Sequence, residues 1–270
     1  MSSARDPIVI AGLPNLRDVG GWPTESGGLV RRGLLYRSVE VTHLDDSGTA
    51  AFEALGVTTV FDLRTEAERT AQPDRLPPGV THVVADVLAD AIDEFGAHAL
   101  QAVVTDPMTL APLLADGRAR TALANSYRDI VGSPGARSAY RRFFTDLADT
   151  RFRPALVHCT TGKDRTGWAA AALLTLLGVG SADVMHDYLL TNDELLPALT
   201  PLLEKFSAAG GDPAQLTEVL GVRREYLEVG LDEMTRRYGD VEGYFRDGLG
   251  IGDDTVRALT DAFVEPAPSS

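Results

Sequence analysis

The chain has 270 residues, 44% hydrophobic and 24% charged, the balance of an ordinary globular protein long enough to bury a sizeable core. Its 25 Lys and Arg stand against 39 Asp and Glu, a net charge of −14, which argues against nucleic acid or an anionic membrane surface as a partner and means that any anion site must gather its cations locally. A single Cys excludes an intrachain disulfide framework and a Cys-rich metal site, and leaves one thiol for chemistry in a reducing compartment.

Residues 1–7 read as a flexible tail, and Ile8-Val9-Ile10-Ala11 is too short for a signal-peptide core. No apolar run reaches membrane-spanning length, so no stable membrane insertion is expected and the expected location is cytoplasmic. Asn15-Leu16-Arg17-Asp18 leads into Gly20-Gly21 and Ser26-Gly27-Gly28, a turn-rich stretch suited to a hairpin or loop. A strand is expected over Leu34–Ser38, then a helix over Thr49–Leu55, capped by Asp45 or Asp46 and stopped by Gly56. Val57–Leu63, β-branched and apolar, is the clearest strand, and Thr65 is a natural N-cap for the short helix after it. Pro73, Pro77, Pro78 and Gly79 make a loop before a strand over Thr81–Ala85 that ends at Asp86.

Ala and Leu with charges at helical spacing predict helices near 89–104 and 119–131, with Pro107 and Pro112 interrupting the part between. Arg137–Asp149 is an amphipathic helix with Tyr140, Phe143, Phe144 and Leu147 on one face. Ala155-Leu156-Val157 reads as a buried strand ending at His158, and a long apolar helix follows from about Arg165 to Leu177. Further helices are expected over 182–190, 194–209, 214–220, 223–238, 241–248 and 253–264, with Gly210-Gly211-Asp212-Pro213 as a break and 266–270 as a disordered tail. Strands alternating with helices predict an α/β fold with a small, mainly parallel sheet, and no linker divides residues 8–265, so one domain is expected.

The stretch joining the apolar strand to the apolar helix carries the chemistry: His158-Cys159-Thr160-Thr161-Gly162-Lys163-Asp164-Arg165-Thr166-Gly167, with five residues between Cys159 and Arg165. A loop that closes just before a helix turns several backbone N–H groups into one concavity, and the helix dipole adds positive potential there. A phosphoryl dianion fits such a nest, so phosphate or sulfate is the expected occupant. Arg165 can grip two of its oxygens with a planar fork. The same field favours the thiolate of Cys159 as a nucleophile beneath the phosphorus. Thr160, Thr161 and Lys163 complete the cradle. Thr166 is placed to donate to the sulfur and His158 to order the loop from behind. Gly162 and Gly167 allow close backbone approach.

This run resembles the Cys-x5-Arg loop of protein tyrosine phosphatases and, more narrowly, the atypical bacterial phosphatases related to mycobacterial protein tyrosine phosphatase B. The resemblance extends through Leu13-Pro14-Asn15-Leu16-Arg17-Asp18-Val19, Tyr36-Arg37-Ser38 with Leu44-Asp45-Asp46, and Asp62-Leu63-Arg64. It continues in Asp187-Tyr188-Leu189 with Thr191-Asn192-Asp193, in Gly221-Val222-Arg223 with Glu225-Tyr226-Leu227, and in Tyr238-Gly239 and Tyr244-Phe245-Arg246-Asp247. It implies a tyrosine-phosphatase-like sheet flanked by helices, a metal-independent, cofactor-free phosphomonoesterase with a phosphocysteine intermediate, and phosphorylated proteins or phosphoinositides as substrates. It also implies a helical lid, placed at 191–222 with Gly210-Gly211 as its joint; a fixed helical layer is the alternative. Relatives of this kind can be exported without an ordinary signal.

Expulsion of an alkoxide or phenoxide calls for a carboxylic acid opposite the sulfur. Asp164, inside the loop, is the favoured candidate, as in phosphoinositide phosphatases that carry Asp directly before this Arg; Asp86, at a strand end, is the other. The Trp-Pro-Asp tripeptide of ordinary tyrosine phosphatases is absent. Lys163 is expected at the rim, where an ammonium favours substrates with a further negative charge. Arg64 and Arg17, at places that match the resembled family, either line the pocket or tie the loop from behind through carboxylates; the second is the favoured reading, with Asp62 and Asp18 as partners. His43, His82, His98 and His186 show no metal-ligand spacing. A phosphate-binding module without turnover and a rhodanese-like sulfur transferase are the alternative functions; the second lacks the second Cys it would need.

Overall fold

The computed structural model describes residues 8–90, 114 and 116–267. Strands β1 (Arg17–Asp18), β2 (Leu29–Val30), β3 (Leu35–Ser38), β4 (Thr59–Asp62), β5 (Thr81–Val84), β6 (Ala155–His158) and β7 (Val264–Glu265) form two sheets. The larger has the order β1-β3-β6-β4-β5; β3, β6, β4 and β5 are parallel and β1 is antiparallel at the edge. β6 takes the middle, with Ser38 of β3 and Asp62 of β4 in register on either side of His158. The smaller sheet pairs β2 with β7.

The central strands are apolar on both faces because both faces are covered. Phe61 and Val157 point into one core cluster, whereas their neighbours Val60 and Leu156 point into the other, as the two-residue period of a strand requires. The helices are α1 (Asp46–Ala54), α2 (Glu66–Ala71), α3 (Arg118–Gly132), α4 (Pro134–Ala148), α5 (Asp164–Leu176), α6 (Ser181–Leu195), α7 (Thr200–Ala208), α8 (Pro213–Leu220), α9 (Arg224–Tyr238) and α10 (Asp253–Phe263). α5 is buried from Arg165 to Leu174, which explains its apolar sequence all round. On it Trp168 donates its Nε1–H to Tyr244 Oη at 3.0 Å. Gly230 lets α9 approach closely, since a Cβ there would stand 3.2 Å from the Trp168 ring.

The fold is the α/β class with a mainly parallel sheet that the sequence predicts, and most differences lie at element ends. α4 begins at Pro134, three residues before the expected start, because Ser133 caps it and accepts from the Ala136 N–H at 3.2 Å. The single helix expected over 194–209 is divided: α6 runs on to Leu195, a 3₁₀ turn covers Leu196–Leu199, and α7 starts at Thr200, with Pro197 and Pro201 at the two starts. The helix expected over 241–248 is one turn at Val241–Gly243 followed by a π-helical turn at Tyr244–Gly248. β1, β2 and β7, two residues each, carry no periodicity long enough to read from sequence. The helix expected near 89–104, beyond its first two residues, the breakers Pro107 and Pro112, His98 and the tail at 1–7 lie outside the described residues.

Candidate active site

β6 ends at His158 and delivers Cys159, 2% exposed, to the carboxyl edge of the sheet at its central strand. The next turn is shaped by Gly162, whose φ of +66° lies in the left-handed region; a Cβ there would stand 2.1 Å from Ser38 O, so only glycine fits. Lys163, the cap residue of α5, returns to the right-handed region at φ −100°, and its side chain makes no capping hydrogen bond to the first amides of the helix. Alternating handedness followed by an uncapped helix start is the backbone arrangement that collects N–H groups around an anion.

Arg165 sits in the first turn of α5, and its fork faces Glu68 of α2: Nη1 is 2.7 Å from Glu68 Oε2 and Nη2 2.6 Å from Oε1. Thr160 Oγ1 also donates to Glu68 Oε1, and the Thr65 amide donates to its Oε2 at 2.8 Å. Burial raises the Glu68 carboxyl, but the charge and hydrogen bonds of Arg165, with Thr160 and Thr65, outweigh it and bring the pKa to about 2. Glu68 escaped the sequence reading. The available signal was the Thr65-x-x-Glu68 capping box, which gives this glutamate a local role and conceals its second one.

The two acid candidates sit in different surroundings. Asp164 Oδ1 accepts from Tyr127 Oη at 2.8 Å, and Lys163 Nζ lies 2.8 Å from its Oδ2. The Lys163 ammonium, expected at the rim for a further negative charge on the substrate, is 6% exposed and paired with Asp164. Burial without such a partner would be too costly for an ammonium. Asp86, just past β5, accepts the Leu88 amide at 3.0 Å and lies 3.8 Å from Arg69. Burial pushes its carboxyl up; the Leu88 hydrogen bond and the charges of Arg69 and Arg165 oppose that, and Glu68 adds to it.

Behind the loop, His158 Nδ1 is 3.1 Å from Cys159 O and Nε2 is 3.1 Å from Asp74 Oδ2. Arg64 is fully buried beside them, 2.8 Å from each of Asp62, Asp74 and Glu40. His82 Nε2 lies 3.2 Å from Asp62 Oδ2, and hydrogen bonds to Asp62 and Asp74 raise its pKa to about 9. Asp62, Asp74 and His158 offer ligand atoms within 4.8 Å of one another, but the cation among their carboxylates is Arg64. Arg17 reaches Asn15 Oδ1, Asp187 O at 3.0 Å and Thr191 Oγ1 at 3.1 Å. Asp18, expected as its partner, accepts the amides of Gly20 and Gly33. Arg37, also fully buried, joins Asp187 Oδ2 at 2.9 Å to Gly162 O at 2.8 Å.

The structure thus brings Cys159, Thr160, Thr161, Gly162, Lys163, Asp164 and Arg165 into one turn, with Gly167 against the Tyr188 ring, and puts Arg17 and Arg64 behind it. The bond from Thr166 to the sulfur is not formed: Thr166 Oγ1 is buried and has no hydrogen-bond partner among the described residues. Besides Glu68, the sequence reading missed Asn15, Arg37 and Asp187 as loop supports, and Tyr127 and Asp74 as partners of site residues.

The family model described as the tyrosine phosphatase family matches residues 8–265. The chain is 32% identical to the triple specificity protein phosphatase PtpB of Mycobacterium tuberculosis over 93% of its own length and 96% of that protein's. It is 28% identical to a protein of Cupriavidus necator, provisionally named a tyrosine-protein phosphatase, over 92% of this chain and 85% of that one. A tyrosine-protein phosphatase of Nostoc commune is 26% identical over 83% of this chain and 71% of its own.

Proposed function

This chain belongs to the tyrosine phosphatase family and is a phosphatase, and on that premise we propose that it hydrolyses phosphomonoesters through a phosphocysteine formed on Cys159. The observation that carries this reading is the placing of Cys159 at the end of the central strand, one tight turn before the uncapped start of α5, with the Arg165 guanidinium in that helix's first turn. Cys159 Sγ attacks phosphorus, the S–P bond forms, and the ester P–O bond breaks. The leaving oxygen takes a proton from a carboxylic acid. The resulting carboxylate then takes a proton from water as the water oxygen attacks phosphorus, and the S–P bond breaks to release phosphate and the thiolate. Loop amides and Arg165 stabilise the equatorial oxygens in both steps.

Asp86 is the better acid. Burial favours its protonated form, whereas both oxygens of Asp164 are already engaged, one by the Tyr127 hydroxyl and the other by the Lys163 ammonium. Asp164 with Lys163 then orients the start of α5. The words protein phosphatase and tyrosine-protein phosphatase in the names of the relatives favour phosphorylated protein side chains as substrates, with phosphotyrosine first. Phosphoinositides are less favoured, because the Lys163 ammonium that would greet a second phosphate is already paired. Residues 191–222 supply the candidate lid. No helix of the described residues is long and apolar enough to cross a membrane.

The test is phosphate release from p-nitrophenyl phosphate and from a phosphotyrosine peptide, with EDTA present. Turnover by the wild type, abolished in Cys159→Ser, is the expected result. On an alkyl phosphate, whose leaving group needs the proton more, Asp86→Asn loses roughly 10²- to 10⁴-fold and Asp164→Asn loses less. Phosphate binding without turnover would instead make the protein a binding module.

A further inference from the structure

We propose that Asn15 is a positioning residue for the catalytic loop: its carboxamide holds the carbonyl groups of Thr161 and Gly162 on the outside, so that the loop's N–H groups converge on the anion. This rests on the reading of the loop given above.

A peptide unit carries N–H and C=O on opposite sides, so N–H groups can face an anion only if the carbonyls face away. Here the outward side is protein interior, where a carbonyl without a donor is costly. A peptide that flipped to find another donor would aim its carbonyl oxygen at the phosphate. Asn15 Nδ2 donates to Thr161 O at 3.0 Å and to Gly162 O at 3.1 Å. Arg37 supplies Gly162 O with a second donor. The two carbonyls flank the left-handed Gly162, the unit at which the chain direction makes a flip easiest.

The carboxamide is itself fixed. Its Oδ1 accepts from Arg17, which is anchored on α6 through Asp187 O and Thr191 Oγ1, so Nδ2 is left facing the loop. Asn15 is 1% exposed and, among the described residues, is the non-glycine residue with positive φ, at +60°. Asn tolerates that region better than most residues, and such conformations persist where the surroundings over-determine them. No other side chain of this size offers two N–H donors and an acceptor together. Aspartate would replace the donor Nδ2 by an acceptor oxygen set against the two carbonyls.

The test uses Asn15→Gly, which removes the carboxamide while suiting the left-handed backbone, with Asn15→Asp as the isosteric second variant. Orthovanadate inhibition and kcat/KM on p-nitrophenyl phosphate are measured per folded molecule. The expected result is a fall in kcat/KM on the order of 10²-fold with a matching loss of orthovanadate affinity, the lower end of an oxyanion-site defect. In parallel, phosphate binding to Cys159→Ser weakens when Asn15→Gly is added. Values within twofold of the parent, or activity lost only in proportion to the unfolded fraction, would overturn the proposal. A wild type that binds phosphate without turnover sinks the phosphatase chemistry and leaves the binding arm to judge Asn15.

Discussion

At Arg165, the bidentate pair with Glu68 fixes the plane of the guanidinium through Nη1 and Nη2 and does not use Nε. The arginine is thereby presented to the loop in one orientation, where a freely rotating side chain would have to be ordered by each substrate. Glu68→Gln keeps the capping box of α2 but removes the charge. It is expected to cost about 3 kcal/mol of stability, as breaking a largely buried ion pair does. It is also expected to lower kcat/KM by roughly 10²-fold by loosening a transition-state donor. Denaturant unfolding and steady-state kinetics measure both; a Gln variant with wild-type kcat/KM would show that Arg165 needs no outside support. Asp86 makes a second claim at this scale. An acid must be protonated to donate, so kcat/KM declines as pH rises through its raised pKa, and Asp86→Asn removes that limb of the profile. A limb unchanged in Asp86→Asn but lost in Asp164→Asn would return the role to Asp164.

At the scale of elements, α7 and α8 form an excursion whose two ends are tied together. Asn192 Nδ2 donates to Val222 O at 2.9 Å, and the Val222 amide donates to Asn192 Oδ1 at 2.7 Å. Within it the Gly210-Gly211 turn is packed: the Phe206 ring lies 2.4 Å from where a Gly211 Cβ would be. A hinge at the glycines would break that contact, so movement of this excursion as one body about its stem is the expected mode. Hydrogen exchange should therefore show 195–209 and 213–220 opening together, faster than α5. Protection at 195–209 equal to that of α5 would make the segment a fixed layer. Asn192→Ala, which cuts both stem bonds, should speed exchange across the whole segment.

For the molecule as a whole, Arg37 and Arg64 are fully buried in a protein of net charge −14, and each is matched by carboxylates at 2.8–2.9 Å. Such a network makes stability depend on pH from both sides. The His82 pKa is raised from its ordinary 6.5 to about 9, so its contribution is complete below 6.5 and disappears as pH rises toward 9. The Glu68 pKa is lowered from 4.5 to about 2, so its contribution is present above 4.5 and disappears as pH falls toward 2. Asp74 acts in the same sense as Glu68: burial opposes, but His158, His82 and Arg64 hold it well below the carboxylate range. The thermal midpoint should be highest between 4.5 and 6.5 and decline to pH 9. His82→Gln should flatten that alkaline decline; a decline unchanged by it would place the titrating group elsewhere. His82 is partly exposed, so its effect should be modest.

The sequence by itself determined the family, the α/β class and the loop proposed to be catalytic, because these rest on local order: an apolar strand, a glycine turn, and a Cys and an Arg at fixed spacing within ten residues. Tertiary structure decided what surrounds that loop. Glu68 meets Arg165 across 97 positions, Asn15 meets Gly162 across 147, and Arg17 meets Asp187 across 170. No periodicity or spacing connects such pairs, since chain topology alone brings them together. The same holds for Lys163 and Asp164: adjacency in sequence placed them at the site, but only the packing of Tyr127 and α5 showed the lysine buried in a pair with the aspartate instead of waiting at the rim.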